Sequence, residues 1–145
     1  MKLELLNDDI TIELLDGGLQ GPPGLPGVGG SQTSPPYPIA TALSALRVVC
    51  LNDSNALILA DSSILSHAFR LVGLMQIAVS TGTATPLVRG ILSDGSWNWD
   101  TSKPIWLGTA GFLTQTPPVT GFQVQVATPL TTNTIHFEIQ EIVEL

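Results

Sequence analysis

The sequence predicts an all-β protein: a small β-barrel or sandwich body, preceded by an N-terminal β arm and a short Gly-X-Y connector, and assembled as a trimer. Three observations carry this expectation. Apolar runs, several of them alternating with period two, recur between turn formers from residue 39 onward. Glycine occupies positions 18, 21, 24, 27 and 30 without a miss. Charged residues make up 12% of the chain against 43% hydrophobic, about half the usual charged share of roughly 25%. So sparse a charge suits a protein that buries surface between subunits.

The chain of 145 residues divides into an arm (1–17), a connector (18–38) and a globular body (39–145). The arm reads as two short strands, "LELL" and "ITIELL", separated by Asn7, Asp8 and Asp9. Leu3 and Leu5 in the first strand and Ile10, Ile12 and Leu14 in the second are its apolar contacts. An isolated hairpin is marginal in water, so these side chains are expected to anchor the arm on another surface. The connector carries Gly18, Gly21, Gly24, Gly27 and Gly30 in triple-helix phase, with Pro22, Pro23 and Pro26 between them. Only glycine fits at the axis of a triple helix, and proline favours its polyproline II strands. About five triplets are too few to trimerise alone, but a trimeric body would raise their effective concentration. The alternative is an extended single-chain linker. Either form is a stalk that holds the arm away from the body.

In the body, "ALRVVCL", "ALILA", "FRLVGLMQIAVS" and "ATPLVRGILS" read as strands rich in valine, isoleucine and leucine. "KPIWLG" and "GFLTQT" form a pair across a short turn at Thr109 and Ala110. In "FQVQVATPL" Phe122, Val124 and Val126 alternate with glutamines, and in "TIHFEIQEIVEL" Ile135, Phe137 and Ile139 alternate with polar residues. The one helical segment expected is "DSSILSHAF", capped by Asp61 or Ser62 and ending by Phe69.

The composition weighs against several functions. Net charge is −7, and the five basic residues are scattered, so no stripe exists to neutralise phosphates. Nucleic acid and anionic membranes are therefore not expected partners. The N-terminal stretch holds one lysine and five acids, unlike a signal peptide. The single cysteine, Cys50, reads as a small buried hydrophobe. A Ser/His/Asp set can be drawn around His67 and Asp61, but no G-x-S-x-G elbow accompanies it. One cysteine and two distant histidines give no zinc spacing, and no phosphate loop is present. No catalytic residue, metal or cofactor is expected. Trp97 and Trp99 would share one face of a strand, with Trp106 shortly after. They read either as packing at an edge or interface or as a platform for sugar or partner.

From about residue 57 to 145 the chain resembles virion proteins of tailed bacteriophages. The carriers are "ADSSILSHAFRLVGLMQIAVSTG" and "GSWNWDTSKPIWLGTAGFLTQTPPVTGFQVQVATPL". The opening "ITIELLDGGLQGPPG" is similar to the start of fibre proteins in which a short strand leads into Gly-X-Y repeats. The resemblance implies a structural protein made in the host cytoplasm and carried on the virion. The expected form is a homotrimeric capsid-decoration (cement or head-fibre) protein that binds the major capsid protein through its arm. The alternative is a short tail-fibre or tip protein that grips host glycans. The Gly-X-Y region is far shorter than in a long fibre, which favours the stubby appendage. A small hydrolase is the remaining class, and no catalytic constellation speaks for it.

Overall fold

The computed structural model describes residues 31–145. The expectations for the arm (Leu3, Leu5, Ile10, Ile12, Leu14) and for Gly18, Gly21, Gly24, Gly27 and Gly30 lie outside the described residues. The body is mostly β-strand with little helix, as the sequence predicts. Ten strands form one antiparallel sheet that curls into a half-barrel.

The strands are β1 (Gln32–Thr33), β2 (Tyr37–Pro38), β3 (Val48–Leu51), β4 (Leu57–Leu59), β5 (Leu71–Leu74), β6 (Thr83–Ala84), β7 (Leu87–Ser93), β8 (Ile105–Leu107), β9 (Leu113–Thr114), β10 (Phe122–Thr131), β11 (Thr134–Glu138) and β12 (Ile142–Glu144). The path across the sheet is β4-β3-β5-β7-β11-β10-β8-β9, with β1 added on β7 and β12 on β10. A two-stranded ribbon, β2 with β6, stands apart from it. Residues 31–38, assigned from sequence to the connector, therefore belong to the body. Gln32 and Thr33 pair with Arg89 and Leu87, and Tyr37 and Pro38 pair with Ala84 and Thr83.

Two clusters fill the interior. The larger gathers Val48, Cys50, Leu74, Leu87, Ile105, Leu107, Phe122, Val124, Val126, Ile135 and Phe137, among others. The smaller gathers Leu43, Val49, Leu57, Met75 and Ala84. Strand β3 joins them. Val48 and Cys50 face one cluster and Val49 the other, so three consecutive residues are fully buried. This is why "RVVC" reads as a solid apolar run rather than an alternating one. Burial pushes the Cys50 thiol up to about 11, with the charge of Arg70 opposing only partly. The thiol stays protonated and packs as a hydrophobe.

Strands β10 and β11 follow the predicted alternation and form the hairpin at the centre of the sheet. The apolar pattern of "TIHFEIQEIVEL" suggests one strand, but the chain breaks at Ile139. Phe137 pairs with Ala127 and Ile142 with Val124, so five positions on one side answer three on the other. The Gln140 N–H still donates to the Gln125 carbonyl across the irregularity. The helical segment is a 3-10 turn over Leu65–Arg70, which starts later than expected and ends one residue past Phe69. Its cap position is Ile64, without a side-chain cap bond. Asp61 instead closes the turn that precedes it, accepting from the backbone N–H of Ser63.

Candidate functional site

Trp97 and Trp99 lie in no strand. They sit in a loop between two identical turns. In the first, the Asp94 carboxylate accepts from the Ser96 N–H at 2.9 Å and the Ser96 hydroxyl at 2.6 Å. In the second, Asp100 accepts from the Ser102 N–H at 2.9 Å and the Ser102 hydroxyl at 2.6 Å. An Asp side chain bonded two residues on mimics a backbone turn. The loop is fastened on both sides. The Asp94 and Trp99 N–H groups donate to the Asn133 and Thr132 carbonyls at the β10–β11 turn. The Gln115 amide donates to the carbonyls of Asp100 and Lys103 and accepts from the Asp100 N–H.

The two indoles contact one another with centroids 5.7 Å apart and planes tilted by 51°. Both are half-buried against the larger cluster. The Trp99 indole Nε1 is buried and has no hydrogen-bond partner among the described residues. Trp106 stands on β8 between buried Ile105 and Leu107, so its side chain leaves the opposite face of the strand. The structure thus joins Trp97 to Trp99 as a lid on the core.

The ionised carboxylates hold these turns together. The Ser96 hydroxyl and N–H hold the Asp94 carboxyl below its ordinary value, against a small opposing effect of desolvation. Ser102 does the same for Asp100, with some help from Lys103. A folded-state value lowered below the unfolded one contributes stability above the unfolded pKa, near 4 for aspartate, which is lost as pH falls through the folded value. Unfolding by urea is therefore expected to become easier as the pH falls below about 4. Asp94→Asn and Asp100→Asn should flatten that acid dependence. An unchanged acid profile in the double variant would contradict the role given to these turns.

The Ser/His/Asp set is occupied otherwise than a nucleophile requires. In a catalytic triad the imidazole bridges hydroxyl and carboxylate. Here the Ser63 hydroxyl donates directly to the Asp61 carboxylate at 2.5 Å. His67 Nδ1 accepts the Asp61 backbone N–H at 3.0 Å. The Asp61 carboxylate also accepts from the Ala110 N–H at 3.2 Å. Burial opposes ionisation of Asp61, but its bonds from Ser63 and Ala110 and the nearby His67 outweigh it, so its carboxyl lies below the ordinary value. Burial lowers the basicity of His67, and Asp61 partly restores it. Asp61 thereby ties the 3-10 segment to the turn at Thr109–Gly111. There Ala110 and Gly111 both take positive φ, 50° and 77°. Among the described residues, no three His, Cys, Asp or Glu side chains gather to hold a metal ion.

Two surface features escaped the sequence reading. Arg47 lies over the Phe112 ring, its guanidinium carbon 3.6 Å from the centroid, and donates to the Ala110 carbonyl at 3.1 Å. Phe69 projects from the 3-10 segment with 77% of its surface exposed. No protein-family model matches the chain, and no curated protein matches it.

Proposed function

We propose that the chain is a structural protein of a tailed-phage virion, a homotrimer that decorates the capsid. The observation that carries this reading is the unbroken glycine phase from Gly18 to Gly30, set directly before a β body. The sequence resemblance over residues 57–145 to phage virion proteins supplies the virion. The described side chains are consistent with a structural role. Asp61, Asp94 and Asp100 spend their carboxylates on turns, and Trp97 and Trp99 spend their surface on the core. The indole packing favours decoration over a glycan-gripping tail tip, because two of the three tryptophans lie half-buried against the core.

In this reading the arm of residues 1–17 docks on the major capsid protein by adding strands to it. Three arms engaged together bind far more tightly than one. Binding only the assembled shell stabilises that shell by mass action. The test is co-sedimentation of the purified full chain with undecorated capsids. The account expects saturable binding in multiples of three copies, and loss of binding when residues 1–17 are deleted. Binding to host cells but not to capsids would overturn the decoration reading in favour of the tail tip.

A further inference from the structure

Strands of a triple helix run side by side. On the trimer reading, on which this inference rests, three copies of Ser31 leave the last phased glycine, Gly30, next to one another. The body surface beside Ser31 must then face its sister bodies. Ser31 lies close against Gly90 of β7, where an added Cβ would meet its hydroxyl oxygen at 2.6 Å. Strand β1 continues along β7 from there. It borders an open groove whose lining includes Gln32, Thr33, Leu51, Phe69 and Val88.

This groove has the chemistry of an interface between copies. Phe69 is 77% exposed and Val88 36%, so its lining offers apolar surface to a partner. Arg70 at the groove is already engaged, donating to Asn55 at 2.7 Å and to Asp53 at 3.4 Å, so its charge is partnered within the chain. An aromatic anchor with a satisfied polar rim is the usual composition of an interface centre.

We infer that the β1 groove is the surface through which the bodies of the trimer meet, with Phe69 beside the threefold axis and packed against the equivalent grooves of the other two copies. Residues near such an axis contact their own equivalents, so a single charge introduced there is met by two others. The test uses the full chain in sedimentation across a dilution series. Phe69→Glu should raise the trimer dissociation constant by about 30-fold or more, the size of an interface hot spot. Leu130→Glu is the comparison. Leu130 is also exposed, 49%, but lies by the β10–β11 turn, at the Ser93 end of β7, away from the Leu87 end where β1 pairs. It should leave the constant unchanged.

A second variant, Phe69→Cys, reads proximity directly. On mild oxidation it should give a disulfide-linked pair of chains on a denaturing gel, reversed by reductant. Cys50 is fully buried and does not compete. A trimeric wild type whose Phe69→Glu form stays equally trimeric, with no cross-link in Phe69→Cys, would overturn the groove and leave the trimer standing. A wild type that is monomeric at every concentration would overturn the trimer reading itself.

Discussion

Alanine at Phe137 is expected to lower the unfolding free energy by about 3–5 kcal/mol, the usual loss for a buried phenylalanine. Phe137 is fully buried in β11, the strand between β7 and β10. Its neighbours in register are Ala127 on one side and Gly90 on the other. Both are small, so neither has a side chain able to fill the space that a lost ring leaves. The cavity term should therefore be near the upper end of its range. Since a domain of this size holds about 5–15 kcal/mol in total, the variant would sit close to the folding threshold. Thermal unfolding at one fixed protein concentration should show a midpoint lower by roughly 10 °C or more. A drop of a few degrees would mean that the ring is less central to the core than its burial implies.

The second large effect is expected at Gly121, the residue that leads into β10. Its φ is +79°, a conformation that costs other residues roughly 1–2 kcal/mol. Space is the greater obstacle. A Cβ added there would lie 2.1 Å from the Ser62 carbonyl oxygen and 2.8 Å from the Ser63 Cα, both parts of the backbone. The contact is close because the next N–H, from Phe122, donates to that same Ser62 carbonyl at 3.0 Å. Gly121→Ala must push the two segments apart and break this bond, leaving a buried donor that costs about 1–3 kcal/mol. The sum is a loss on the order of 3 kcal/mol, checked by urea titration. Gly95→Ala is the comparison: nothing lies within 4 Å of its added Cβ. Equal stability in the two variants would contradict the contact.

Much of the body was legible because its strands bury one face. Phe122, Val124 and Val126, and Ile135 and Phe137, are all fully buried, as their alternation requires. What the pattern could not show was where pairing changes. Ile139 and Ile142 continue the apolar theme of β11, yet the register moves between them, because register depends on the partner strand and not on local periodicity. The two-sided burial of β3 was hidden for a related reason. "RVVC" shows no alternation, and only the ribbon of β2 with β6 and the segment around Leu43 and Met75 reveal why its second face is covered.

The loop around Trp97 and Trp99 carries its own signal in the sequence. Asp94-Gly95-Ser96 and Asp100-Thr101-Ser102 repeat the Asp-x-Ser spacing of Asp61-Ser62-Ser63, and all three close the same turn. That repeated spacing, more than the two-residue interval of the tryptophans, marks the loop. The exposure of Phe69 had no such signal. Six residues of 3-10 helix bury only Ala68, and which side of so short a turn faces out is set by the strands beneath it.

These features leave assembly as the central claim. A triple helix over the glycine phase would demand three chains, and the proposed β1 interface rests on that trimer. The most direct test is the molar mass of the purified full chain in solution by light scattering. The account predicts a mass near 46 kDa, which is about three chains of 15.3 kDa. A mass near 15.3 kDa at every concentration would contradict it and reduce the glycine run to a linker.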